Sequence, residues 1–137
     1  MILGLDHIAI AVESLDEGVQ RFVRDLGLSL AGTEDVPTEQ TATAFLPVAG
    51  PTRLELVAPL DGAGPIARAL EKRGPGLHHL CFRVRGIDAE MARLQRLGWR
   101  FTSDAPRPGA HGARVVFVHP RSTGGVLIEL AELPDAQ

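Results

Sequence analysis

Along residues 5–12 the chain alternates. Ile8, Ile10 and Val12 fall on one face of an extended segment, and Leu5, His7, Ala9 and Ala11 fall on the other, which predicts a strand. The period then changes. Ser14 and Glu17 stand in capping-box spacing, and Leu15, Val19, Phe22, Val23 and Leu26 recur as one stripe of a helix that Gly27 can end. Extended patterns return at 28–33, 41–48 and 52–58. Glu34 to Gln40, with Pro37, forms a connection, and Ala49-Gly50-Pro51 joins the last two strands. Pro and Gly punctuate residues 59–76, within which Pro65 to Arg73 suits a short helix with Ile66 and Leu70 on one side.

The same order then recurs. Leu77-His78-His79-Leu80-Cys81-Phe82-Arg83-Val84 lies 72 positions after the first strand, so that Leu5 matches Leu77, His7 matches His79 and Val12 matches Val84. A second helical stripe follows at Ile87, Met91, Leu94 and Leu97, with Gly98 answering Gly27. Strands are expected at 99–103, 114–119 and 125–131, with a long loop over 104–112. Phe117 answers Phe45 and Glu129 answers Glu55, which makes the second hairpin loop two residues longer. Each half reads as strand, helix and three strands. The fold class is therefore α+β: one domain over residues 1–137 made of two tandem βαβββ modules, 5–58 and 77–132, joined by the connector 59–76.

Composition narrows the function. With 137 residues the chain can bury a core without staples. The net charge is -3, and the 13 arginines and one lysine are scattered, which argues against a nucleic-acid partner. No apolar run approaches the ~18 residues of a membrane span, so no membrane partner is expected. Met1 to Gly4 runs into the first strand without a charged leader. The single cysteine, Cys81, sits in an apolar strand and reads as a buried structural thiol, which fits a reducing cytoplasm.

Overlaying the halves isolates four chemical positions: His7 and Glu55 in the first, His79 and Glu129 in the second. A carboxylate within a core strand is costly unless it is paired, protonated or bound to a metal. One such glutamate could simply be a wet strand edge. Two equivalent ones, each with an equivalent histidine, suit a divalent metal with room for water or substrate. His78 points opposite to its neighbour, and the repeat selects His79 because His78 matches Asp6. His111, in Gly-Ala-His-Gly, and His119, before Pro120, could each touch substrate or serve as a hydrogen-bonded loop residue. Glu39 has no counterpart in the second half and by itself reads as a solvated side chain.

These stretches carry a resemblance. Residues 5–12, Leu54 to Leu60, Gly64 to Ala67, Lys72 to Gly74, Gly76 to Leu80, Pro108 to Gly112 and Val116 to Leu130 occur in order and resemble the vicinal oxygen chelate superfamily, within it the methylmalonyl-CoA epimerase family. The resemblance implies a glyoxalase-like fold cupping one metal, with His7, Glu55, His79 and Glu129 as ligands. It implies cobalt or manganese as the ion, with zinc or nickel compatible, and an acyl-CoA substrate. The implied reaction interconverts (2R)- and (2S)-methylmalonyl-CoA through C2 proton abstraction, a metal-stabilised enolate and reprotonation on the opposite face. Glu39 matches the family's proton-transfer glutamate, although Thr41 and Ala42 follow the Glu-Gln pair where glycine and valine are usual. The second proton carrier is Glu129 or a water at the metal. Arg53, Arg73, Arg83, Arg107 and Arg121 are the candidates for the CoA phosphates, and a homodimer is compatible with the exposed sheet edges. The rival reading is a glyoxalase I-type lactoylglutathione lyase, which also uses two histidines and two glutamates, but no segment matches its glutathione contacts.

Overall fold

The first strand, β1 (Ile2–Ala11), serves two compact units of the computed structural model, which describes residues 1–134. Its residues up to Asp6 cluster with the chain from His79 onward, and its residues from His7 onward belong to the unit that ends at His78.

In the unit spanning residues 7–78, Ser14 caps α1 (Leu15–Val19), its Oγ accepting from the Glu17 amide at 3.3 Å. The helix then widens into a π turn over Gln20–Asp25, marked by the Leu26 amide donating to the Arg21 carbonyl at 3.0 Å. The wide turn breaks the 3.6 period. Leu15, Val19, Phe22 and Val23 still pack on the core of Val12, Ala44, Leu46 and Leu56, but Leu26 swings out and is 65% exposed, contrary to its place in the expected stripe. The strand expected at 28–33 forms later, as β2 (Gly32–Val36), because pairing with β3 (Thr41–Pro47) decides its position. Glu34 and Asp35 on this edge strand discourage pairing with another chain. β4 (Arg53–Pro59) pairs antiparallel with β3 and parallel with β1, for a strand order β2-β3-β4-β1. α2 (Pro65–Arg73) occupies the span that its punctuation predicts, and Ile66 and Leu70 pack on Ala9, Ala11 and Val57. The face that carries His7 is thus lined by small residues, while the opposite face builds the bulkier core.

The unit of residues 1–6 and 79 onward repeats the plan. β5 (Gly76–Val84), which begins in the other unit, leads to α3 (Ile87–Arg96). This helix ends in a Schellman motif: the Trp99 amide donates to the Leu94 carbonyl and the Gly98 amide to the Gln95 carbonyl, both at 3.0 Å, with Gly98 at φ 91°. The reversal turns Leu97 outward to 66% exposure and packs Trp99 against the core of Val84, Ile87, Met91, Leu94, Val116 and Leu130. The strand expected at 99–103 reduces to one bridge, Phe101 to Val118. The short β6 (Arg107–Pro108) inside the expected loop pairs with β7 (Arg114–Val118) instead. β8 (Ile128–Glu132) completes the order β5-β8-β7-β6. Cys81 is fully buried beside Ala113, Val115 and Ala131.

The two ladders are in matched register. Glu55 sits opposite Ala9 on one side and Phe45 on the other; Glu129 sits opposite Cys81 and Phe117, the same positions one module later.

Candidate active site

A parallel ladder with Glu55 opposite Ala9 places the glutamate diagonally from His7, two residues back on the same strand face. The side chains meet there: His7 Nδ1 lies 3.1 Å from Glu55 Oε2, and both are buried. The second unit does the same with the other ring nitrogen, His79 Nε2 lying 3.1 Å from Glu129 Oε1, again with both side chains buried. Phe117 closes over His79 edge-on, with ring centroids 5.1 Å apart and planes at 89°.

Each couple supplies an imidazole nitrogen and a carboxylate oxygen in a buried setting, the donor chemistry that a divalent ion of the first transition row accepts. A buried carboxylate needs a cation or donors to remain ionised, and a metal would serve as that cation. The side chains present therefore fit a metal-binding role.

Glu55 has a second partner. Arg53, two residues back on β4 and so on the same face, brings Nη2 to 2.7 Å from Oε2, and its guanidinium stacks 5.5 Å from the centre of the Phe45 ring. Arg53, one of the five arginines available for the CoA phosphates, is thus engaged on a carboxylate, and the Arg-x-Glu spacing on a strand is the signal that points to this pairing. Arg83 is likewise committed: its Nε and Nη2 donate to one oxygen of buried Asp6 at 3.1 and 2.7 Å. No local signal could have found that pair, 77 positions apart in the chain.

Glu39 closes a 3-10 turn, Pro37–Glu39, and is half-buried. Gln40 follows in the left-handed region at φ 53°, its amide donating to the Pro37 carbonyl at 3.0 Å and its carbonyl accepting from Leu60 at 3.0 Å. The Thr41 hydroxyl donates to the Glu39 carbonyl at 2.8 Å. The unusual threonine after the Glu-Gln pair thus fastens the turn. Gly64, at the start of α2, has no side chain for a reason: a Cβ there would lie 2.7 Å from that of Gln40.

The other histidines divide. His119 is a capping residue, its Nδ1 accepting from the Arg121 amide at 3.1 Å as the chain enters a 3-10 turn, Pro120–Thr123. His111 is exposed and lies in the left-handed region at φ 58°, within the loop between β6 and β7. His78 is buried, in the other unit from His79.

A family model of the Glyoxalase/Bleomycin resistance protein/Dioxygenase superfamily matches residues 6–117. The ethylmalonyl-CoA/methylmalonyl-CoA epimerase of Cereibacter sphaeroides is 37% identical over 97% of this chain and 100% of its own length. The crystal structure of methylmalonyl-CoA epimerase from Mycobacterium tuberculosis superposes with a TM-score of 0.91 at 39% identity, over 96% of this chain and 89% of the other. The chain belongs to the methylmalonyl-CoA epimerase family. A solved methylmalonyl-CoA epimerase in complex with methylmalonyl-CoA and ammonium is also similar, with a TM-score of 0.93 at 30% identity over 100% and 99% of the two chains. The fold is that of the family, two βαβββ modules of the vicinal oxygen chelate type. Among the described residues no helix is long and apolar enough to cross a membrane.

Proposed function

We propose that this chain is a metal-dependent epimerase that interconverts (2R)- and (2S)-methylmalonyl-CoA. The observation that carries the reading is the duplicated buried couple, His7 with Glu55 and His79 with Glu129, each at 3.1 Å and each at the same ladder position. In this reading all four side chains serve one divalent ion, cobalt or manganese being preferred. Family membership and the relatives named for this substrate support the same reading.

The substrate's C2 proton lies between a thioester and a carboxylate. Its removal moves an electron pair toward the thioester oxygen, and a bound divalent ion would supply Lewis-acid stabilisation of that charge. Glu39 takes the proton from C2 as general base. Its fastened turn suits that task, since a base held in place loses less freedom on reaching the reacting geometry. Glu129, protonated at the start in this direction, delivers its proton to the opposite face, which inverts C2 and leaves the abstracted proton on Glu39 and Glu129 ionised. With Arg53 and Arg83 committed to carboxylates, the CoA phosphates are assigned to the set Arg73, Arg107 and Arg121. The buried thiol of Cys81 accords with a cytoplasmic setting, and a homodimer is the assembly proposed.

The deciding experiment follows deuterium entry at C2 across a panel of malonyl thioesters, on protein reconstituted with each divalent metal. Exchange with methylmalonyl-CoA and interconversion of its epimers are expected. Turnover of a glutathione hemithioacetal without any C2 exchange would replace this reading with that of a lactoylglutathione lyase.

A further inference from the structure

The two His–Glu couples are alike in distance but not in charge. On β4 the residue facing His7 across the ladder is Arg53, and its Nη2 lies 2.7 Å from Glu55 Oε2. One module later the equivalent residue is Leu127, one position before Ile128, which faces Leu80. Arg53 is itself held, with its guanidinium over Phe45, and its side chain is only 21% exposed. A half-buried cation on a buried carboxylate acts on the field at the site as much as on its shape.

We infer that Arg53 is a charge-setting positioning residue: it offsets Glu55, so that the metal site carries one positive charge more than its ligands alone would give. The inference rests on Glu55 being a metal ligand. Arg53 offsets the charge that Glu55 brings, so the sum at the ion stands one unit more positive than it would without the arginine. That surplus suits a substrate that brings a carboxylate and develops further negative charge at the thioester oxygen. The cost is weaker hold on the ion, because Arg53 repels it. Charge setting and mere structural support therefore predict opposite signs for metal affinity. Loss of a supporting hydrogen bond to a ligand weakens metal binding, typically by about 10–100-fold. Loss of a nearby unit charge tightens it, by roughly tenfold even at a water-like effective dielectric of about 80.

The test is calorimetric titration of the metal-free protein with Co2+, in wild type and in R53L, R53K, E55Q and R53L/E55Q, alongside the rate of C2 exchange in the loaded enzymes. R53L is expected to bind Co2+ about tenfold more tightly and to exchange about tenfold more slowly. R53K should stay within about threefold of wild type in both. E55Q should bind Co2+ more weakly, and R53L/E55Q should return towards wild-type affinity because its net charge is restored. Unchanged or weaker binding in R53L overturns the inference, as does a double variant weaker than E55Q. If R53L does not fold, R53Q carries the same arm. Wild-type protein that binds no divalent ion defeats the reading of the site itself, an outcome distinct from a normal wild type with an unresponsive R53L.

Discussion

Glu55 and Glu129 are carboxylates on apolar strands, and each is met by a histidine two positions before its ladder partner. Glu39 differs in kind: it stands on a turn, unduplicated, with its backbone fastened by the Thr41 hydroxyl and by the Gln40 amide bond to Pro37. A base that acts on carbon without binding the metal should be separable from it. Glu39→Gln is therefore expected to leave the metal content of the purified protein unchanged while C2 deuterium exchange falls by about 10²–10⁴-fold. Full exchange in this variant would remove Glu39 from the proton path. His119 belongs to backbone capping, and Arg53 and Arg83 to buried carboxylates. The Arg53 pairing follows from spacing on one strand, whereas those of His119 and Arg83 depend on which groups meet across a turn or between distant strands.

Among the elements, the turn after β2 and the start of α2 depend on each other. Gly64 at φ 99° lies against Gln40, itself at φ 53°. Gly64→Ala adds a Cβ where Gln40 already stands and asks an L residue to take a strained backbone, so a loss of about 1–3 kcal/mol is expected. Urea unfolding measures it, and reduced C2 exchange in the folded fraction would accompany the displaced Glu39 turn. α3 is tied to the sheet by a surface network in which Arg114 donates to Asp88 at 2.9 and 3.1 Å and also reaches Glu132. The hydrogen bonds from Arg114, aided by its charge, hold the Asp88 carboxyl below its ordinary value despite some desolvation. A depressed carboxylate contributes stability that is present above the unfolded-state value and is lost as the pH falls through the folded-state value. The thermal midpoint of Asp88→Asn should accordingly lie slightly below that of wild type at neutral pH, with the gap closing in acid and also in high salt, since the pair is exposed. A gap that persists below the titration range would assign the effect to something other than this charge. Element patterns were legible where the period is local: α2 follows from its proline and its Ile66–Leu70 face. The π turn after α1 and the late start of β2 were not, because a widened helical turn and a strand edge are set by packing and pairing with distant residues.

For the whole molecule, the duplication organises both the cores and the chemistry. Each unit sets a helix against its bulky face and lines the histidine-bearing face with small side chains, Ala9, Ala11 and Val57 in one, Cys81, Ala113 and Ala131 in the other. If the four histidine and glutamate ligands hold one ion, that ion binds only the folded chain and must stabilise it. At about 100 times its dissociation constant the gain is about 2.7 kcal/mol. Added Co2+ or Mn2+ is expected to raise the thermal midpoint, and a chelator should reverse the shift; a midpoint indifferent to both would count against a buried ligand set. The sequence by itself determined the repeat, the faces of the strands and the equivalence of His7 with His79 and of Glu55 with Glu129, because side-chain direction in a strand alternates with a period of two and needs no knowledge of neighbours. The tertiary structure alone decided that each histidine meets its own module's glutamate, that Arg53 comes to face His7 across the ladder, and that Asp6 is answered by Arg83. Those facts depend on register between strands far apart in the chain, which loop lengths and core packing set together.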